Sequence, residues 1–175
     1  MQETRLDHTD NDVLRRFRRM RGFGALSEEQ VAQAVAMARL RKYSPGETVI
    51  KSGELDNALF FLVSGELKAM ADGVDVGTID RMGDVFGEMG VIDGQPRCAS
   101  VRAVTESLCV KLDASFFERL EGADRDQVHA ETYRVFAEIL ADRLRLANEK
   151  NARLELELLR LRGSGERSTQ ELDLD

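Results

Sequence analysis

The sequence predicts an α+β chain: an antiparallel β-roll of the jelly-roll type, with short helices before it and one long helix after it. Three observations predict this. Between residues 44 and 112, short apolar runs alternate with glycine-bearing turns, the pattern of a small roll. Before 44, apolar residues recur at helical spacing. After 124, leucines return every three or four residues with no glycine or proline until Gly163, which predicts one extended helix.

The elements follow in order. A polar segment runs to about Asp12. Leu14, Phe17 and Met20 then mark one side of a short amphipathic helix, with Arg15, Arg16, Arg18, Arg19 and Arg21 around it. Its plain reading is a solvated basic face; the sharper one is a docking patch for an acidic partner or nucleic acid. Ser27 and Gln30 form a capping box. Val31, Ala34, Val35 and Ala38 give the helix behind it a buried face. Ser44-Pro45-Gly46 reads as a type II turn. Strands follow at 48–51, 58–63 and 67–71, with Ser64-Gly65 and Asp72-Gly73 as breaks. Val74, Val76 and Ile79 alternate with small or polar residues, as do Ala99, Val101 and Ala103, then Leu108, Val110 and Leu112. Asp113 can cap a helix over 114–120, Gly122 breaks it, and Asp124 caps the last helix. The organisation is 1–40 helical, 41–122 roll, 123–162 long helix and 163–175 a disordered tail.

Composition narrows the function. Hydrophobic content of 42% over 175 residues supports one sizeable core with an extension. The net charge of −7 argues against free nucleic acid as a partner. No apolar run reaches membrane-spanning length, and no signal-peptide segment opens the chain. The two cysteines, Cys98 and Cys109, suit a reducing cytoplasm better than a disulfide framework. The two histidines, His8 and His129, leave 9–128 without one, against both the metal site of a cupin-like roll and a nucleophile–base pair. The chain reads as a non-enzyme with no cofactor.

Residues 86–100 carry the chemistry. Gly87 lets backbone approach a ligand closely. The turn beginning at Glu88 leaves N–H groups suited to an anion. Arg97 can fork onto phosphate oxygens. Glu88, an acceptor, suits a sugar hydroxyl instead. The order Phe86-Gly87-Glu88 followed by Pro96-Arg97-Cys98-Ala99-Ser100-Val101 resembles the phosphate-binding cassette of cyclic nucleotide-binding domains, the family that includes the catabolite activator protein and protein kinase A regulatory subunits. The likeness covers about 17–150. It implies a roll with the cassette inserted between strands, and a ligand site of Phe86, Gly87, Glu88, Met89, Arg97, Cys98 and Ala99. It implies cAMP as the first ligand, with cGMP or a cyclic dinucleotide as alternatives. Cys98, where family members carry a small residue tied to base preference, leaves that preference open.

Residues 143–150 resemble the family's dimer helix, so Arg143, Ala147 and Asn148 join the candidate site. The family's two hydroxyl residues that reach the base correspond to Ala147, which has no hydroxyl, and to Asn148, which can donate and accept. Tyr133, Ala137, Leu140, Leu144, Ala147, Asn151, Leu154, Leu158 and Leu161 alternate by four and three, a heptad seam for a coiled-coil homodimer. No recognition helix follows in the sequence. The expectation is a stand-alone cyclic nucleotide sensor that dimerises and signals to a downstream protein. The alternative is a structural or adaptor coiled-coil protein with a vestigial pocket.

Overall fold

The computed structural model describes residues 1–24, 26–120 and 125–170, with side chains described to 161. The chain forms two units, Met1–Phe136 and Ala137–Asp175. The first begins with β1 (Gln2–Arg5), α1 (Asn11–Arg18), α2 (Glu28–Met37), β2 (Ala38–Tyr43) and β3 (Thr48–Ile50). It continues with β4 (Ala58–Ser64), β5 (Leu67–Ala71), β6 (Val74–Ile79), β7 (Val85–Phe86) and α3 (Glu88–Asp93). It closes with β8 (Ser100–Ala103), β9 (Ser107–Asp113), α4 (Ser115–Glu118) and the start of α5 (Arg125–Gln170).

Among the described residues, nine strands make two antiparallel sheets, ordered β1-β2-β9-β4-β7 and β3-β8-β5-β6. Between them lies the roll's core, to which Tyr43, Phe60, Leu62, Leu67, Phe86, Val101 and Cys109 contribute. The long apolar run of β4 has a simple cause. Its residues 58–62 are all buried, because both faces of this strand are covered. Phe60 and Leu62 enter the core between the sheets, while Phe61 meets Phe23 edge-on at 5.2 Å on the helical side. Phe23 in turn meets Phe17 of α1 at 5.2 Å, so a file of rings ties the first helix to the sheet.

Local chemistry sets the ends as the sequence indicates. Ser27 and Gln30 exchange both capping-box hydrogen bonds. Glu47 N–H donates to Ser44 O at 3.0 Å across the Pro45-Gly46 turn. Ser115 N–H donates to Asp113 Oδ1 at 2.9 Å, although the helix it opens is shorter than expected and ends at Glu118.

Other parts differ from expectation. The polar opening segment holds β1, whose four exposed residues pair with β2 through backbone bonds that side-chain pattern does not report. The helix after Ser27 stops at Met37, and Ala38, expected on its buried face, begins β2. Val74 and Val76 are exposed, since β6 is an outer strand whose partner β5 is bulged at Ala69/Met70. The first unit extends past the expected boundary at 122, because Val128, Val135 and Phe136 of α5 are buried. The expected break at Gly122 and cap at Asp124 lie outside the described residues. The long helix, expected to end at 162, reaches Gln170. A glycine inside a helix costs about 1 kcal/mol relative to alanine and does not by itself stop it. Residues 171–175 of the expected tail lie outside the described residues. Among the described residues no helix is long and apolar enough to cross a membrane.

Burial also separates the two thiols. Cys98 is exposed and Cys109 is buried in the core. Desolvation pushes the Cys109 thiol up to about 12, because the thiolate has no water to stabilise it. An ordinary thiol titrates near about 8.5, so the folded chain holds this proton where the unfolded chain loses it. Stability from this group is therefore complete below about pH 8.5 and is lost as pH rises towards about 12. A thiol reagent should modify Cys98 alone in the native protein and both cysteines after denaturation. Cys109→Ala should flatten the alkaline loss of stability; rapid native labelling of Cys109 would contradict its placement.

Candidate functional site

The cassette begins where β7 ends. Phe86 pairs with Phe60 across β4, and their rings stack at 5.3 Å with an 18° interplanar angle. The backbone then turns through Gly87, at φ 83° and ψ 5°, into α3. Gly94 ends that helix, donating its N–H to Gly90 O at 3.1 Å. Asp93 Oδ1 accepts from Gln95 N–H at 3.0 Å and shapes the return towards Arg97.

Arg97 is held at both backbone and side chain. Its N–H donates to Glu54 O at 2.9 Å, and its carbonyl accepts from Gly53 N–H at 2.8 Å and Ser52 Oγ at 3.2 Å. Ser52 N–H donates to Ser100 Oγ at 3.0 Å. The turn after β3 is thereby stitched to the end of the cassette. Arg97 is 5% exposed. Nη1 donates to Gly87 O, and Nη2 donates to Ala58 O at 2.6 Å. Asp56 Oδ2 lies 3.5 Å from Nη2 and also 3.3 Å from Lys111 Nζ. That lysine sits over the Phe60 ring at 5.7 Å. Arg97 Nε is buried and donates to no atom among the described residues.

Burying a charged side chain costs several kcal/mol unless hydrogen bonds and an opposite charge offset it. Here two carbonyls and Asp56 do so for Arg97, and they leave part of its donor set unused. An arginine has five N–H donors, so the buried fork can still meet an anion. Glu88 is fully buried on the first turn of α3. The cassette therefore combines a buried cation and a buried acceptor within one short segment.

The structure gathers Phe86, Gly87, Glu88, Met89, Arg97, Cys98 and Ala99 around this segment. Phe86 is core and Met89 is exposed. Cys98 Sγ lies 3.6 Å from Met89 Sδ, which brings the two ends of the cassette together. Arg143, Ala147 and Asn148 are exposed residues of the second unit. Gly87 has a further task beside the one its sequence context suggests. A Cβ there would lie 2.9 Å from Arg97 Nη1 and 3.1 Å from Ala58 O, so the missing side chain makes room for the arginine. A Cβ at Gly90 would also lie near Nη1, at 3.3 Å.

Sequence reasoning missed Asp56, Lys111, the turn at Ser52-Gly53-Glu54 and the Ala58 carbonyl. Asp56 and Lys111 are ordinary surface-type residues in sequence; the β4–β9 pairing sets Lys111 near Asp56, and Arg97 reaches Asp56 from the cassette. Carbonyl partners have no side-chain signature at all. Ser52-Gly53 offered a turn signal, but nothing local pointed it at the cassette.

Residues 40–123 match the family model described as the cyclic nucleotide-binding domain. A cAMP-dependent protein kinase regulatory subunit of Emericella nidulans is 43% identical over 82 residues, covering 46% of this chain and 20% of the relative. The chain thus spans about a fifth of that relative's length. Among solved structures, a cyclic nucleotide-binding domain from Methylobacillus flagellatus superposes with a TM-score of 0.64 at 20% identity, covering 79% of this chain and 80% of that one. The Thermus thermophilus catabolite activator protein gives 0.56 at 27% identity, covering 79% and 62%.

The two glycines beside Arg97 should respond differently to substitution. Gly87→Ala imposes a left-handed conformation on a residue with a side chain, at about 1–2 kcal/mol, and drives its Cβ into the guanidinium. The expected loss is about 2–4 kcal/mol in denaturant unfolding, with the added clash counted. Gly90→Ala meets looser contacts and gains about 1 kcal/mol of helix propensity, so its net change should stay within about 1 kcal/mol. Equal losses for the two variants would contradict this packing.

Proposed function

Residues 40–123 belong to the cyclic nucleotide-binding domain family, and from that premise we propose that the chain is a non-catalytic cyclic nucleotide sensor, with cAMP its first ligand. It dimerises through α5 and passes its state to another protein. The observation that carries the ligand reading is the buried Arg97 fork, whose Nε has no partner among the described residues. A cyclic phosphate would take the remaining arginine donors and backbone N–H groups of the cassette. Glu88 would accept from the ribose 2′-hydroxyl, since a carboxylate facing the phosphate would repel it. The relative of Emericella nidulans is named for its dependence on cAMP, which puts that nucleotide ahead of cGMP. Asn148 is the proposed base contact, with Arg143 and Ala147 beside it on α5.

The dimer reading rests on the far part of α5. A helix of 46 residues is about 69 Å long at about 1.5 Å per residue. Leu144, Leu154, Leu158 and Leu161 on its seam are 49–63% exposed. Pairing two such seams would bury four leucines from each chain, each worth about 1.5–3 kcal/mol when fully buried. Asn151, three residues before Leu154, takes the a-type position at which a polar residue fixes the register of a parallel pair. Both cysteines are free, as suits a reducing cytoplasm.

Calorimetry with cAMP, cGMP and a cyclic dinucleotide tests the ligand. Arg97→Ala should weaken binding by about 2–4 kcal/mol. A 2′-deoxy nucleotide should bind the native protein more weakly than its parent, and Glu88→Ala should shrink that penalty. Unchanged affinity in the arginine variant would remove Arg97 from the phosphate, and equal penalties would remove Glu88 from the ribose. Absence of heat with all three nucleotides would leave the coiled-coil adaptor reading.

Sedimentation tests the assembly. The native chain should be a dimer with and without ligand. Leu154→Asp combined with Leu158→Asp should give a monomer that still binds nucleotide. A native monomer at micromolar concentration would sink the dimer.

A further inference from the structure

We propose that the groove between α1 and α2 is a docking surface for an acidic, leucine-bearing helical segment of a partner protein. The groove is about 340 Å³ and is lined by Asn11, Leu14, Arg15, Arg18, Glu28 and Val31. Its position follows from packing. Phe17 is buried against Phe23, which meets Phe61 of the sheet. That anchor fixes how α1 is rotated and leaves its arginines exposed.

The charge here is far more than the helix needs. Residues 11–21 carry five arginines against Asp12, in a chain of net charge −7. Basic residues in the last turn of a helix favour its dipole, which accounts for one or two of them. Arg15 lies 3.6 Å from Asp12 and Arg18 lies 4.0 Å from Glu28, all four side chains more than half exposed. Such long surface pairs contribute little. Arg16 and Arg19 form no ion pair among the described residues. Arginines three and four apart repel one another by a few tenths of a kcal/mol per pair. The cluster is thus a local electrostatic cost that an acidic partner would relieve.

The apolar floor selects the class of partner. Leu14 is half-buried and Val31 is buried beneath the arginine rim. A helix laid in a groove engages it through side chains at i, i+3 or i+4, with a leucine over Leu14 and Val31 and glutamates towards Arg15 and Arg18. Nucleic acid would engage the rim and leave the floor unused, and the net charge of the whole chain opposes it. A planar anionic membrane cannot enter a concave site between two helices. The surface lies apart from the cassette residues, so the inference stands whether or not a cyclic nucleotide binds.

The test uses the full chain and a fluorescein-labelled helical peptide of about sixteen residues, long enough to hold some helix in water, with leucines along one face and glutamates beside them. Anisotropy should report micromolar binding that weakens at higher salt. Amide shift changes should fall on 11–18 and 28–31. Combined Arg15→Glu, Arg18→Glu and Arg19→Glu should weaken binding at least about tenfold, as should glutamine for glutamate in the peptide, about 1.4 kcal/mol or more. Leu14→Asn should weaken it by about fivefold. Circular dichroism melts check that each variant folds, and all should bind cyclic nucleotide as the native chain does. A single-stranded oligonucleotide and phosphatidylserine vesicles are the competing probes. No peptide binding at about 1 mM, unchanged affinity in the triple variant, or tighter binding of oligonucleotide or vesicle would overturn the proposal.

Discussion

A buried guanidinium must be surrounded by acceptors, and for Arg97 these come from Gly87, Ala58 and Asp56. Its side chain draws on the carbonyls of Gly87 and Ala58. Those two residues lie at the end of β7 and the start of β4, so one cation ties the cassette to the strand pair behind it. Its backbone is clamped by Gly53 and Glu54, which fixes the turn after β3 against the same point. Asp56 adds the opposite charge and shares it with Lys111 of β9. Losing the arginine side chain would leave the carbonyls of Gly87 and Ala58 without this donor and Asp56 paired with Lys111 alone. The cost would include that of the orphaned acceptors as well as the lost contacts. The residue proposed to hold the phosphate is therefore also a structural tie of the roll.

This explains why some of the site was legible in the sequence and some was not. Arg97, Glu88 and Gly87 stand in a short segment with fixed spacing, and their chemistry can be read from residue type. One reason for Gly87 was not legible, the approach of Arg97 Nη1 from ten residues away. Asp56 joins Arg97 to Lys111, three residues far apart in sequence that strand pairing and the cassette's return bring together. Local pattern carries no information about such meetings.

The fold divides in the same way. Ser27 with Gln30, Pro45 with Gly46 and Asp72 with Gly73 set their own backbone, and each was readable where it stands. The run at 58–63 was readable because burial on both faces leaves no polar residue in it. By contrast β1 has four exposed residues and is a strand only because β2 offers an open edge. Val74 and Val76 have the residue types of a core-facing strand, yet they stand on an outer strand with a bulge beside it. In these places tertiary context decided what propensity left undetermined.

The two parts of α5 show where local satisfaction ends. Val128, Thr132, Val135 and Phe136 are buried within the first unit, so that stretch of helix is stabilised by packing. From 142 to 161 every residue is exposed, including leucines at three- and four-residue intervals. Isolated helices gain little from propensity, and most helical stability in proteins comes from a packed apolar face. A long helix with such a stripe, and with charges on its remaining faces, needs a second apolar surface to match it. A second copy would supply the same spacing by symmetry. In such a pair Asn151 would meet its own counterpart and select one register over the others. The polar residue that weakens the seam is thus also the one that would define it.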